Sequence, residues 1–484
     1  MLANREQITQ SFGLDKKYQN YFIDEQNFGW LRDFAAYCGT MKGCSKTAGI
    51  CGKFKTCFTC VFLGGGQSMV ARYKKSLEQL TIMLHIIKTQ KNLSIGAIVD
   101  FQLLLLKKIK EAEKAIIRTK GIIQKLRLEK ANDRPSRERS KEITTLINKF
   151  DKKMESYRYI IYIWKMYGDS IAFHFCDKYA IRHFLYNEHY HVKETAGFIS
   201  GKEGIKSEIM LLKTAAQNNV PAVLCDLTNT LRHGDVCLLG HNDPYPIEVK
   251  TSSKLNNRGE KQLKNIDELN RFFINDEAEN FRGVGPVIRR EHTEKEQYHL
   301  QAINDCISKS YEEGTSHVSP ESGVHYLAIT KFKQEVFDQI HGKYIHMFNL
   351  NEYKRDMNWH PYTPFQLSLN PEHIYNFING NLSIFVLLDL QVIKRRFKRN
   401  GLHIIFLQDE HWYAQISATG NILDGGFRVS MQSFLRVAFE FQSLTWAIKQ
   451  HKKHLNLFME DTGKNGRKME IPPDWIAATD PIPM

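Results

Sequence analysis

No run of about 18 apolar residues occurs in the chain, so no membrane-spanning helix is expected. The opening MLANREQITQSFGLDKK has no basic segment leading into an apolar one, so the sequence predicts no signal peptide and a cytoplasmic location. There is no G-x4-G-K-[ST], and Gly49-Ile-Cys-Gly52-Lys53 is too short for a phosphate-binding loop, so no nucleotide-driven motor is expected. Internal repeats are absent too. What the chain has is length, a basic balance and an ordinary apolar content. Its 484 residues suit two to four domains, and 42% hydrophobic with 11% aromatic residues exclude global disorder. Acidic residues are in deficit, 53 against 67 Lys and Arg, and the net charge of +14 favours a polyanionic partner, nucleic acid first.

Pattern divides the chain into four segments. Residues 1–66 carry five of the nine cysteines, Cys38, Cys44, Cys51, Cys57 and Cys60, in a Gly-, Lys- and Thr-rich stretch that ends at Gly64-Gly65-Gly66. Only Cys57-x-x-Cys60 has the tight spacing of a zinc knuckle. Bound Zn²⁺, an iron–sulfur cluster or plain thiols all suit this group, whereas disulfides do not suit a cytosolic protein. Residues 67–195 read as helices. Leu105, Ile109, Ala112, Ile116, Ile123 and Leu126 form one apolar seam, and Ile143, Ile147, Phe150, Met154, Tyr157, Ile161 and Trp164 a second. The break Asn132-Asp133-Arg134-Pro135-Ser136 folds them into an antiparallel hairpin, either a separate helical domain or a surface for a second copy or partner protein.

Residues 196–345 open, over about 200–275, as helix, three short strands and helix; strand candidates return at 324–332 and, in the mixed segment 346–484, at 381–390, 402–408 and 411–417. Within 200–275, Asp235-Val-Cys-Leu-Leu and Tyr245-Pro-Ile-Glu248-Val-Lys250 flank a turn rich in Gly, Asn, Asp and Pro. Folding at that turn sets Asp235 opposite Glu248, and Lys250 shares a face with Glu248. Charges converging between apolar strands need a partner. A hard divalent cation relieves carboxylate repulsion, binds phosphate oxygens and activates water, with a lysine beside it to orient that water. That is a toolkit for phosphodiester hydrolysis.

Gly234-Asp235 with Glu248-Val249-Lys250 resembles the PD-(D/E)xK, or restriction-endonuclease-like, nuclease superfamily, glycine standing in for proline. The resemblance covers about residues 200–275. It implies an α/β fold with a mixed sheet flanked by helices, and a DNA-cutting activity that needs Mg²⁺ or Mn²⁺. It also implies roles for Glu208, in Gly204-Ile-Lys-Ser-Glu208, as a further metal ligand and for Gln262 beside the site. Glu203 rivals Glu208, and Asp226 and Asp243 rival Asp235. The layout of one nuclease core with unfamiliar flanks is similar to that of prokaryotic antiviral defence or restriction effectors. RNA stays open as a substrate. Two readings from other classes stand beside this one, a non-catalytic nucleic-acid-binding protein and a helical scaffold subunit. Lys394, Arg395, Arg396, Lys398 and Arg399, with Phe397 among them, make either a phosphate-contacting cluster or a solvated helix face.

Overall fold

A computed structural model describes residues 22–23 and 67–482, apart from 91–93, 134, 196, 250–256, 291, 293, 408, 410–411 and 466–470. The five clustered cysteines and Lys250 lie outside the described residues. The chain is a mixture of helices and small sheets, and every described strand ladder is antiparallel. It divides into two compact units, one taking in Leu63–Arg290 and Arg355–Asn379, the other Glu291–Lys354 and Gly380–Met484. Among the described residues no helix is long and apolar enough to cross a membrane.

The first unit is built on a long helical hairpin. Helices α1 (Gln67–Arg72) and α2 (Lys74–Thr89) precede its two arms, α3 (Ile95–Asn132) and α4 (Arg137–Phe175). Leu105, Ile109, Ala112, Ile116 and Ile123 of α3 are buried, as are Ile143, Met154, Tyr157 and Trp164 of α4, so both apolar seams face inward. The polar break ends as a cap: Ser136 Oγ accepts from Arg139 N at 3.2 Å. Arg139 then clasps the two arms, donating to Glu129 at 2.7 Å and Glu142 at 2.8 Å.

After α5 (Ile205–Gln217) come three short strands, β1 (Ala222–Leu224), β2 (Val236–Leu238) and β3 (Tyr245–Ile247), in sheet order β1-β2-β3. Helix α6 (Asn257–Asn275) follows. The small sheet does not form a core alone. Helix α5 packs on both α3 and β1, and α4 packs on β1. The hairpin and the β1–β3 segment therefore share one unit, and the domain boundary expected at 195/196 falls inside it. The physical reason is that buried polar groups of the hairpin serve the sheet. Gln102 of α3, wholly buried, donates to Ala222 O at 2.8 Å and accepts from Leu224 N at 2.9 Å, closing the outer edge of β1.

The second unit holds β4 (Thr315–Glu321), β5 (Val324–Ile329), β6 (Ile345–Asn349) and β7 (Ser383–Asp389), ordered β6-β7-β5-β4, with Phe22–Ile23 pairing beyond β6. The boundary expected at 345/346 falls within β6. Strand β7 is central and buried along its whole length, which explains its unbroken apolar run. Helix α7 (Leu300–Glu313) packs on β4 and β5. Then follow α8 (Leu390–Arg399), a second sheet of β8 (His403–Phe406), β9 (Trp412–Ser417) and β10 (Gly426–Ser430), and α9 (Leu444–Asn465).

Candidate active site

The β2–β3 hairpin has the register that its sequence predicts. Val236 pairs with Ile247 and Leu238 with Tyr245, so the pairing line carries on to Asp235 and Glu248. Asp235 N donates to Ile247 O at 2.8 Å, and Cys225 N donates to Asp235 O at 2.9 Å. Past the end of β3 the Asp235 carboxylate itself takes over the ladder, since its Oδ2 accepts from Val249 N at 2.9 Å. Before it stands Gly234, with φ +79° and a missing Cβ that would lie 3.0 Å from Ile247 O. Proline, fixed near φ −65°, cannot take that conformation, which accounts for glycine before Asp235.

Three charged side chains meet beside Asp235, making a cluster of four. Lys202 Nζ lies 2.9 Å from Glu208 Oε1, 2.9 Å from Asp226 Oδ2 and 2.9 Å from Asp235 Oδ1. The carboxylates arrive from three elements: the first turn of α5, the single turn that ends β1, and the start of β2. Glu208 is almost wholly buried, its side chain 2% exposed against 30% for Lys202. Its Oε2 is buried with no hydrogen-bond partner among the described residues. Burial works against the Lys202 ammonium, but hydrogen bonds from it to Glu208, Asp226 and Asp235 hold its pKa above the ordinary lysine range. Burial also raises the Glu208 pKa, and Lys202 only partly offsets this. Lys165 of α4 is a second cation nearby. Burial lowers its pKa, with Asp226, Glu113 and Asp169 opposing.

The long hairpin fixes the loops that present these groups. Glu113 of α3 accepts from Ile199 N at 3.0 Å and Ser200 N at 2.7 Å, anchoring the segment that carries Lys202. Asp169 of α4 accepts from Asn229 N at 3.1 Å and Thr230 N at 2.9 Å, holding the loop that leads to Asp235. Burial raises the Asp169 pKa to about 6 against these donors. Gly168 lets α4 approach that region, because a Cβ there would sit 1.9 Å from Leu227 O.

Of the residues that the sequence singles out, Glu208 and Asp235 come together, joined by Asp226, which entered only as a rival. Glu203 is exposed, unlike Glu208. Asp243 is held elsewhere, by Arg289. Glu248 lies past the end of β3, half-buried, and electrostatically opposes the burial that lowers the Lys193 pKa. Gln262 sits half-buried on α6, and no described contact joins it to the carboxylates. Lys202 was missed. It stands in a Gly-Lys-Glu-Gly turn six residues before Glu208, and a lysine in a glycine-rich turn reads as surface. A cleft lined by Phe175, Pro221, Tyr245, Phe273 and Ile274 opens beside the hairpin turn and contains none of the four charged groups.

The cationic cluster on α8 is divided. Lys394 is buried and bound to Asp480 and to Ile482 O, while Arg396 donates to Glu321 at 2.7 Å and to Ser322 O at 2.6 Å. These two are taken up inside their own unit and leave Arg395, Lys398 and Arg399 exposed. An amphipathic basic helix puts every third or fourth side chain inward, so a run of like charges cannot all face one phosphate backbone.

As they stand, no three Asp, Glu, His or Cys side chains among the described residues are disposed to hold a metal. The donor chemistry nevertheless suits a hard cation: carboxylate oxygens only, with the buried Glu208 Oε2 lacking a hydrogen-bond partner among the described residues. No protein-family model matches the chain, and neither does any curated protein or solved structure.

Proposed function

We propose that the protein is a metal-dependent nuclease of restriction-endonuclease-like type, acting on DNA. One observation carries the reading: three carboxylates from separate elements converge on one point next to the Glu248-Val249 segment. Gathering three carboxylates around one half-buried lysine, with Glu208 almost wholly buried, costs desolvation, and clusters of this kind concentrate at functional sites. Asp235, Glu208 and Asp226, with Glu248 on the adjoining segment, are the residues that would hold Mg²⁺ or Mn²⁺. Bound there, the ion would polarise a phosphoryl oxygen and lower the pKa of water. Asp235, fixed at Oδ2 by Val249 N, would turn toward the ion its Oδ1, the oxygen that Lys202 engages. Glu208 would add a ligand from a buried, rotationally restricted position. Lys250 follows Val249 and would place positive charge by the phosphate or steer the attacking water. DNA would reach the site by counterion release at the basic surface.

Incubating plasmid and linear DNA with Mg²⁺ or Mn²⁺ tests this, comparing wild type with Glu248→Ala and Lys250→Ala. Cleavage that needs metal and drops about 100-fold or more in both variants is expected. Equal cleavage by wild type and both variants contradicts the assignment.

A further inference from the structure

We infer that Lys202 is a built-in counter-ion that occupies the cation position between Glu208, Asp226 and Asp235 and must leave when a divalent metal enters. The inference rests on the nuclease reading above and deepens it. An ammonium has three N–H donors, and here each of the three carboxylates lies 2.9 Å from Nζ. A divalent ion draws carboxylate oxygens to about 2.0–2.1 Å for Mg²⁺. The carboxylates are thus gathered but spread too wide for a metal, which agrees with the lack of a ready-made ligand set among the described residues.

Two further observations point to exchange rather than a permanent ion pair. One is Glu208 Oε2, buried beside the cluster with no hydrogen-bond partner among the described residues. The ammonium uses only Oε1, whereas a metal draws on both oxygens or turns the second toward the ion. The other is the way Lys202 is mounted. It is the most exposed of the four side chains, at 30% against 2%, 13% and 17%, and so has a path to solvent. Its loop is pinned through the backbone of Ile199 and Ser200 by Glu113. The side chain can therefore swing out while the loop stays. In the metal-free protein Lys202 keeps three carboxylates from repelling one another, and at the same time it competes with the metal.

The test is Mn²⁺ binding by the full chain, followed by calorimetry and by thermal unfolding, in wild type, Lys202→Met and Asp235→Asn. Lys202→Met should unfold at a lower temperature in chelator, bind Mn²⁺ at least about tenfold more tightly than wild type, and gain more in Tm from Mn²⁺. Asp235→Asn should weaken Mn²⁺ binding. A folded Lys202→Met protein that binds Mn²⁺ no better than wild type, while Asp235→Asn still weakens binding, overturns the exchange and leaves the nuclease reading standing. Absence of Mn²⁺ binding in both wild type and Lys202→Met overturns the two together. Wild type alone gives a second readout. Acylation of Lys202, mapped by mass spectrometry, should rise on saturation with Mn²⁺, and unchanged acylation overturns the exchange even if the variant does not fold.

Discussion

Gly234 shows how much a single residue can carry at this site. Its positive φ turns the chain so that Asp235 enters β2 with its carboxylate toward Val249 N, and a Cβ at this position would crowd Ile247 O. Gly234→Ala should cost about 1–2 kcal/mol in chemical denaturation, with a matching loss of cleavage because Asp235 is displaced. A change below about 0.5 kcal/mol would contradict the strained turn. Some of the site was legible at this scale and some was not. Asp235 and Glu248 could be paired from the sequence because strand register is a matter of counting from a turn. Lys202 and Asp226 could not, since both lie in turns whose path depends on anchors from helices about 60 to 90 residues away, Asp169 and Glu113.

Those anchors belong to the elements. A long, charge-rich hairpin reads in sequence as an independent domain, because Glu113 and Asp169 look like any other charged helix residues. Their burial appears only when the loops they hold are in place. Glu113→Ala removes the acceptor for two backbone N–H groups and should destabilise the protein by roughly 2–4 kcal/mol in denaturant unfolding. It should also reduce cleavage at temperatures where the fold persists. A stability loss with fully preserved cleavage would mean that the hairpin does not position the Lys202 loop. Strand identity was read more easily: β5, β7, β8 and β9 coincide with apolar runs, whereas β4, β6 and β10 carry too many polar residues to stand out. In the second unit Glu321, at the end of β4, ties α9 and α8 together. Burial pushes its pKa up, but hydrogen bonds from His299, Thr445 and Arg396 prevail and bring it down to about 2. A lowered carboxylate pKa stabilises the folded state above the ordinary value of 4.5, and that stability is lost as pH falls through about 2. Glu321→Gln should therefore lower Tm at pH 7 and flatten its decline between pH 4.5 and 2. An unchanged acid profile would place the pH dependence elsewhere.

For the whole molecule, net charge and topology act separately. A charge of +14 sets the long-range attraction for a polyanion but selects no surface. Of the cluster that the sequence offered on α8, only Arg395, Lys398 and Arg399 face solvent. If they contact phosphates, replacing all three with Ala should reduce the slope of log K against log salt for duplex DNA by up to about 3, at little cost in Tm. An unchanged slope would move the DNA path to another face. By contrast, Lys394→Ala and Arg396→Ala should lower Tm, because both cations are bonded within their unit. The domain boundaries were the least legible feature. A chain that leaves its first unit at 290 and returns for 355–379 has no sequence signal of that excursion.

The claim on which all of this depends is that the carboxylate cluster performs chemistry on nucleic acid and is not a structural ion pair. The most direct measurement is paired, DNA affinity and Mg²⁺-dependent cleavage in wild type and Asp235→Asn under one set of conditions. In Asp235→Asn, affinity should stay within about threefold of wild type while cleavage falls by about 100-fold or more. Cleavage at the wild-type rate by folded Asp235→Asn would contradict it.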